Sequence, residues 1–236
     1  MDIHEQTVIG ALVAEDYRTA AVFKAYGIDF CCNGNRTIAE ACAKKRAEPQ
    51  LLINALEQAC NQSDTGTLAY NNWPADLLAD YIEKKHHRYV TAKIAEITPF
   101  LEKVTTVHGD RHPELKKVEA LFRDSAAELS EHMHKEETVL FPYIRNMAAN
   151  GTARPSFRTV ADPISVMMYE HNQEGERFEK IAVLTGNYTP PEDACNTYRV
   201  TFSLLKEFEE DLHLHVHLEN NILFPKAVKM EEERNH

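Results

Sequence analysis

Apolar residues recur every three or four positions through most of the chain after residue 73, which is the spacing of one helix face. This periodicity predicts four long helices, over about 74–107, 113–147, 163–184 and 194–230. No stretch alternates apolar and polar residues as a half-buried strand does. The sequence therefore predicts an all-α fold in which these helices form a four-helix bundle.

Residues before this region predict a small, separate helical domain. Gly27 is placed to end one helix, and Thr37 with Glu40 forms a capping box that begins the next. Pro49 is placed to open a third helix, and a polar, turn-prone segment follows it. The predicted organisation is an N-terminal domain, a linker and a bundle, at residues 1–62, 63–73 and 74–236.

A short motif occurs twice within the predicted bundle. It reads HMHKEETVLFP at 132–142 and HVHLENNILFP at 215–225. In each copy a His is followed four residues later by a Glu, so the imidazole and the carboxylate lie on one helix face. The two pairs are His132 with Glu136 and His215 with Glu219.

The repeat extends beyond the motif. His87 lies 45 residues before His132, and His171 lies 44 residues before His215. We therefore interpret the bundle as two helical hairpins, each with one His on its first helix and a His/Glu pair on its second. For a lone His, an ordinary polar residue on an amphipathic helix is the better interpretation, but six such residues in a repeated, inward-facing pattern favour a metal site.

Helical periodicity selects among the chain's histidines. His87 shares its helix face with apolar residues, whereas His86 is offset by about 100°. We expect His217 to be solvated, because it falls on a polar face. The polar faces of the second and fourth predicted helices each carry a Glu-x-x-His pair of the kind that ferritin-like di-iron bundles use. These pairs are Glu131 with His134 and Glu210 with His213.

Charge and composition exclude several classes of protein. The net charge of -11 argues against nucleic acid as the main partner. No run of about 18 apolar residues is present, so no transmembrane helix is expected, and the acidic N-terminus does not resemble a secretory signal. Five cysteines, two of them adjacent, predict functional or incidental thiols in a reducing compartment, with the cytoplasm as the expected location.

Mixed imidazole and carboxylate ligands suit iron or manganese better than a structural zinc ion. Six side chains are too many for one catalytic metal but suit two. With Glu136 and Glu219 bridging, each ion would receive two His and two carboxylate oxygens, and an oxo or hydroxo bridge would complete most of the coordination. Such a centre can hold O2 or NO, change oxidation state or lose an iron, and the ligand set alone does not choose among these.

The whole chain resembles the Repair of Iron Centers family, of the YtfE/ScdA/DnrN type. The bundle is similar to a hemerythrin-like domain through His87, both copies of the motif and PISVMMYEH, which ends in His171. The N-terminal domain is similar to the ScdA-type domain through YGIDFCCNGNRTIAEA. The resemblance covers nearly the full length.

The resemblance implies a di-iron protein that repairs iron-sulfur clusters damaged by nitrosative or oxidative stress, by donating iron. It also implies damaged iron-sulfur proteins as partners, NO or O2 as small ligands, and a homodimer. One alternative is an enzyme that reduces NO or peroxide at the same centre, and a second is a module that binds or senses O2 or NO. The resemblance gives four terminal ligands, His87, His132, His171 and His215, and two bridging ligands, Glu136 and Glu219.

Two further acids lie close in sequence to the expected ligands. Glu128 lies one turn before His132, and Glu170 directly precedes His171. Each is a candidate hydrogen-bond acceptor for a ligand, transient iron ligand or proton relay. The alternative is a solvated helix carboxylate.

The adjacent cysteines Cys31 and Cys32 lie shortly before the helix that Thr37 caps. Because the N-terminal end of a helix stabilises negative charge, we expect a lowered thiol pKa there. Such a pair could sense oxidants, react with NO or bind iron in transit. The remaining cysteines, Cys42, Cys60 and Cys195, are expected to be small core residues.

Overall fold

The computed structural model describes residues 2–61, 68–151 and 155–235. These residues form helices and turns, and the described part of the chain contains no strand beyond an isolated bridge between Val8 and Thr37. The predicted all-α fold is confirmed. No described helix is both long and apolar enough to cross a membrane.

The chain divides into two compact units. The first contains Met1–Leu78 and Val216–His236, and the second contains Ala79–His215. The boundary between them falls inside the last long helix. The division predicted from sequence, with a linker at 63–73, stays a prediction, and residues 63–67 of that linker lie outside the described residues.

The first unit is built from short helices around an apolar core. Helix α2 packs against α1 and α4, and α3 packs against α4. Phe23, Ile38, Leu52 and Leu56 are completely buried. The helices are α1 (Ile9–Glu15), α2 (Thr19–Ala25), α3 (Ile38–Lys45) and α4 (Pro49–Asn61), with a 3-10 turn at Tyr70–Asn72.

Local signals place most of these helix ends. Gly27, just after α2, has a φ of 64°, which a glycine adopts without strain. Thr37 and Glu40 make both hydrogen bonds of the capping box at the start of α3, and α4 begins at Pro49 as predicted. Helix α1 was missed, because neither a capping side chain at Val8 nor a glycine at its end marks it.

The second unit contains three long helices of the predicted bundle and most of the fourth, which ends beyond His215. Helix α7 packs against α6 and α9. The ring of Phe208 on α10 stacks on Phe178 of α9 and meets Phe122 of α7 edge on. The α-helices of the chain after the first four are α5 (Ala75–Tyr81), α6 (Arg88–His108), α7 (Glu114–Lys135), α8 (Phe141–Ala148), α9 (Ala161–Leu184), α10 (Asn196–Leu218) and α11 (Phe224–Asn235).

In the described ranges, three π-helical segments interrupt helices that the periodicity predicts as continuous. They are π1 (Ile82–His87), π2 (Glu136–Leu140) and π3 (Glu219–Leu223). In π2 the N–H of Phe141 donates to the carbonyl of Glu136, five residues back, and in π3 the N–H of Phe224 donates to the carbonyl of Glu219.

The proline of each Leu-Phe-Pro copy explains where two of these segments end. Pro142 and Pro225 are the second residues of α8 and α11. A proline has no N–H to donate, and its ring crowds the carbonyl four residues before it. The wider π turn avoids that conflict, so the Leu-Phe-Pro sequence is the local signal for the π segment.

The π turn shifts the buried face of the helix that follows it. A regular α-helical period continues the inward face of His132 and Glu136 to Val139 and Tyr143, yet Val139 is 41% exposed and Tyr143 is half-buried. Leu140 and Ile144 are buried instead. Because each α-helical residue turns the chain by about 100°, one extra residue in the π turn moves the apolar face to the next position. The predicted face is therefore wrong after Glu136.

This shift predicts unequal effects of two matched substitutions. Ile144→Ala should lower the free energy of unfolding of the metal-free protein by about 2–5 kcal/mol, because Ile144 is 0% exposed. Val139→Ala should lower it by less than about 1 kcal/mol. Urea unfolding followed by circular dichroism measures both. A cost for Val139→Ala as large as that for Ile144→Ala would contradict the shifted face.

Candidate metal centre

Five buried side chains converge within the second unit. They come from four helical segments: π1, the continuous stretch of α7 and π2, α9, and α10. Their potential ligand atoms form two groups that share Glu136, and within each group the atoms lie within 4.8 Å of one another. One group contains His87, Glu136 and His215, and the other contains His132, Glu136 and His171. Each of the five is 3% exposed or less.

The Glu136 carboxylate lies between the two groups. Its Oε2 is 3.4 Å from Nε2 of His87 and 3.4 Å from Nε2 of His132. His132 Nε2 is in turn 3.0 Å from His171 Nε2. The Glu136 oxygen and these ring nitrogens therefore point into one small buried volume.

Outer carboxylates indicate which ring nitrogens carry a proton. His87 Nδ1 lies 2.8 Å from Glu137 Oε1, and His132 Nδ1 lies 2.8 Å from Glu170 Oε2. An ionised carboxylate only accepts, so in the neutral ring each Nδ1 donates and each Nε2 presents its lone pair to Glu136. Lone pairs that face a carboxylate oxygen repel it unless a cation lies among them. This donor set fits a metal ion.

Glu170 is ionised at neutral pH. Its hydrogen bond to His132 outweighs the effect of partial burial and, together with the contact to Lys135, lowers the pKa of Glu170 to about 2. Above that pH the carboxylate accepts the Nδ1 proton of His132 and orients the ring. The Glu170 carboxylate thus lies beside a ring of the cluster, not beside the Glu136 oxygen.

Glu219 occupies in π3 the position that Glu136 occupies in π2. It is the first residue of its π segment and is completely buried. It follows His215 by four residues along one continuous helical stretch, so both side chains lie on the same face. By residue range Glu219 belongs to the first unit, whereas His215 ends the second.

Glu128 lies on the surface. It is 56% exposed, and its Oε2 is 2.7 Å from Nη2 of Arg177. Neither Glu-x-x-His pair is buried, since Glu131, His134 and Glu210 are exposed and His213 is half-buried. The expectation that these pairs lie on polar faces is confirmed.

Two partners of the histidine cluster were missed by sequence reasoning. Glu137 follows Glu136 directly, and its place in the motif was the available signal. Asp211 Oδ2 lies 3.0 Å from Nδ1 of His86, whose ring is fully buried and stacks on that of His215 at 5.6 Å. His86 therefore packs against the cluster although its helix position differs from that of His87.

The prediction of a solvated His217 is wrong. Its side chain is 1% exposed, and its ring lies 5.5 Å from that of Tyr17 and 6.0 Å from that of Phe30. Burial lowers the pKa of His217 to about 3, so it is neutral. The residue faces polar positions of its own helix, but the rings of Tyr17 and Phe30, which lie in the turn before α2 and in the segment after it, cover it.

The adjacent cysteines are held in an ordered turn. Asp29 Oδ1 accepts the N–H of Cys31 at 3.0 Å and that of Cys32 at 2.9 Å, and Asp29 Oδ2 accepts from Asn33. The two Sγ atoms are 3.7 Å apart, with Cys31 buried and Cys32 half-buried. The Asp29 carboxylate is thus occupied in shaping this turn.

The expectation of a lowered thiol pKa is wrong for Cys31. Its contact with Cys32 and its burial raise the pKa of this thiol. Helix α3 begins only at Ile38, and its capping box already satisfies that helix end. The helix therefore does not stabilise a Cys31 thiolate.

The other cysteines differ from the prediction that all are core residues. Cys42 is buried, Cys60 is half-buried and Cys195 is exposed. The Sγ of Cys195 lies 3.3 Å from Nε2 of His108. The prediction holds for Cys42 and is wrong for Cys195, because α10 begins one residue after it at Asn196.

Two family models match the chain. The first, ScdA_N, is a domain of unknown function and matches residues 5–60. The second, the hemerythrin HHE cation binding domain, matches residues 78–227. All the residues of the candidate metal centre lie within the second match.

Curated relatives match over nearly the full length. An iron-sulfur cluster repair protein YtfE of Musicola paradisiaca is 37% identical, over 97% of this chain and 99% of the relative. An iron-sulfur cluster repair protein ScdA of Staphylococcus haemolyticus is 32% identical, over 95% and 99%. A YtfE of Yersinia pseudotuberculosis is 35% identical, over 98% and 100%. The chain therefore belongs to the hemerythrin HHE family and, within it, to the family of the YtfE and ScdA proteins.

Proposed function

We propose that this protein repairs iron-sulfur clusters damaged by nitrosative or oxidative stress, and that it does so by donating iron from its metal centre. The observation that carries the proposal is the pair of buried histidine groups that share Glu136. The relatives are named iron-sulfur cluster repair proteins, and these names indicate the process. A cytoplasmic location and a homodimer stay predictions.

The proposed centre holds two iron ions. His87 and His215 would be terminal ligands of one ion, and His132 and His171 of the other. Glu136 would bridge them, which its place in both groups supports. Glu219 would be the second bridge, supported by its burial and by its equivalent position in the repeat. An oxo or hydroxo bridge stays a prediction. Bound iron would supply redox reactivity toward O2, NO or peroxide.

The ligand chemistry is compatible with release of iron as cargo. Fe²⁺ lies near the bottom of the affinity order of the divalent first-row metals, so imidazole and carboxylate ligands hold it weakly. The cysteine thiolates and sulfides of a damaged cluster are softer and bind iron more strongly. Iron can therefore pass from the bundle to the cluster without an energy source.

The side chains around the cluster orient the imidazoles. Glu137 and Glu170 accept the Nδ1 protons of His87 and His132, which fixes the tautomer in which Nε2 is the ligand atom. Glu170 also contacts Lys135, which restrains its carboxylate. These contacts support a positioning role for Glu170. Glu128 pairs instead with Arg177 at the surface, which supports no such role.

Removing the proposed bridges should remove iron. The wild-type protein, reconstituted with Fe²⁺ without oxygen, should hold about two irons per chain, the number that six such ligands suit. Glu136→Gln and Glu219→Gln should each lose most of that iron, because a neutral amide is a poor bridge. Glu128→Gln, at the surface, should retain it. Elemental analysis measures the iron, and circular dichroism checks that each variant is helical. Full iron content in Glu136→Gln would refute the assignment of ligands.

Weakening an outer carboxylate should lower iron affinity without abolishing it. Glu137→Gln and Glu170→Gln should each bind iron about 10–100-fold more weakly, because the amide holds the imidazole less firmly. Competition with a ferrous chelator measures the affinity. Glu176→Gln, an exposed position on the same helix as Glu170, is the control and should match the wild type. Equal affinity in Glu170→Gln and Glu176→Gln would show that Glu170 does not position His132.

Iron donation can be separated from the two alternative functions. The iron-loaded protein is mixed with a dehydratase whose [4Fe-4S] cluster has been damaged by NO. Recovery of dehydratase activity should match the iron lost from this protein, one turnover per loaded centre. Sustained consumption of NO or peroxide with an electron donor would instead identify a reductase. A stable O2 adduct with no iron transfer would identify a binding or sensing module.

A further inference from the structure

Two consecutive asparagines connect the π3 segment with the turn that carries the cysteines. Asn220 Nδ2 donates to the carbonyl of Cys31 at 3.1 Å, and Asn221 Nδ2 donates to the carbonyl of Phe30 at 3.2 Å. Both asparagines directly follow Glu219 in π3, and all these residues belong to the first unit. We call Asn220 and Asn221 the asparagine clamp.

The clamp is closely packed. A Cβ atom added to Gly10 would lie 2.2 Å from Oδ1 of Asn221, and one added to Gly34 would lie 2.9 Å from it. Asn221 Nδ2 also lies 3.0 Å from Nδ1 of the buried His217. Asn220 is 8% exposed. Two glycines therefore leave just enough room for Asn221, so the clamp has little freedom to follow a movement of the turn.

Asn220 donates to a carbonyl whose position depends on whether Cys31 and Cys32 form a disulfide. The carbonyl of Cys31 belongs to the peptide that joins Cys31 to Cys32. A disulfide between them would close a small ring that includes this peptide, and the sulfur atoms would approach from 3.7 Å to about 2.05 Å. Ring closure must turn the peptide plane, so the carbonyl would leave its position opposite Asn220.

The oxidation needs only a peroxide or a small disulfide as oxidant. The half-buried Cys32 is the accessible thiol, and Cys31 is buried beside it. The Cys32 sulfur takes one oxygen from a peroxide, ROOH, and releases ROH, which leaves a sulfenic acid. The Cys31 sulfur then displaces that oxygen as water. The two thiols lose two electrons and two protons, and the peroxide becomes ROH and water.

We propose that the asparagine clamp couples the redox state of Cys31 and Cys32 to the position of Glu219, so that oxidation of the cysteines loosens the hold of the metal centre on iron. Asn220 and Asn221 are positioning residues in this scheme. With both thiols reduced, the clamp fixes π3 and the carboxylate at its start. With the disulfide formed, the Asn220 hydrogen bond is lost, and Glu219 is held less firmly.

This coupling rests on the proposed function, in which Glu219 is an iron ligand, and it adds a trigger for release. The oxidants that damage iron-sulfur clusters would also oxidise the cysteines. Iron would then leave the bundle under the conditions in which damaged clusters need it. Because coupling between two sites is reciprocal, bound iron must also favour the reduced thiols.

The first experiment measures iron release in the two thiol states. The full chain carries Cys42→Ala, Cys60→Ala and Cys195→Ala, so that only the adjacent pair can react. It is reduced or oxidised with dithiothreitol buffers, checked by mass spectrometry, freed of the buffer and loaded with Fe²⁺ without oxygen. A ferrous chelator should remove iron about fivefold faster from the oxidised form, the factor that one hydrogen bond of typical strength supplies.

Variants of the clamp test the route of the coupling. Asn220→Ala, in the reduced form, should release iron as fast as the oxidised parent and should no longer respond to oxidation. Asn221→Ala provides a second variant, and circular dichroism confirms that each is folded. Asn54→Ala, on the exposed side of α4, is the matched control and should respond as the parent does.

A second measurement does not depend on release kinetics. The reduction potential of the Cys31/Cys32 couple is compared in metal-free and iron-loaded protein. A fivefold difference in iron affinity between the two thiol states corresponds to a shift of about 20 mV in this potential, since a tenfold difference corresponds to about 30 mV for two electrons. Asn220→Ala should remove the shift.

The outcomes separate this inference from the proposed function. Equal release rates and equal potentials in a parent that binds iron would overturn the coupling and leave iron donation intact. A parent that binds no iron would overturn the proposed function itself. A response to oxidation that persists in both asparagine variants would overturn the clamp as its route.

Discussion

A carboxylate buried among imidazole nitrogens is the constraint on which the bundle depends. Glu136 is completely buried, and its Oε2 lies at equal distances from the Nε2 atoms of His87 and His132. Burying a charge away from water costs several kcal/mol unless another charge compensates it. A cation among these atoms would offset that cost, and the outer carboxylates orient the rings by accepting their Nδ1 protons. The apolar side chains of the four helices can then pack around a polar centre.

The π segments adapt the helices to this centre. Each of π2 and π3 begins at a glutamate of the repeat, and π1 ends at His87. A π turn is rarer than an α turn, and it occurs frequently at functional sites. The proline of the Leu-Phe-Pro sequence favours the wider turn locally, because it cannot donate the α-helical hydrogen bond. Local sequence and the geometry of the site therefore agree.

The N-terminal part of the chain packs with the C-terminal end of the chain. It forms one compact unit with the end of the last helix, and the asparagines of π3 bind the backbone of its cysteine turn. The repeat relates this contact of π3 to a different contact of π2. The position of Glu137, which orients His87 in the first copy of the motif, is Asn220 in the second copy. The same position of the motif thus accepts a hydrogen bond from an imidazole in the first copy and donates one to the cysteine turn in the second copy.

The sequence by itself determined the long helices, the caps at Gly27 and Thr37 and the six candidate ligands. These features depend on residues three to five positions apart, and a helix fixes the geometry of such neighbours. The capping box of Thr37 with Glu40 and the helix end at Gly27 were predicted for the same reason. The Leu-Phe-Pro sequence also contained the signal for the π turns, but periodicity alone assumes a regular α-helix and so places Val139 and Tyr143 inside in place of Leu140 and Ile144.

Only the tertiary structure decided which groups surround the ligands. Glu137 is 50 residues from His87, and Asp211 is 125 residues from His86, so no local spacing predicts either pair. The burial of His217 and the raised pKa of Cys31 likewise depend on side chains that packing brings together. Periodicity assigns each residue to a face of its own helix, whereas hydrogen-bond partners and burial are set by the elements that pack against that face.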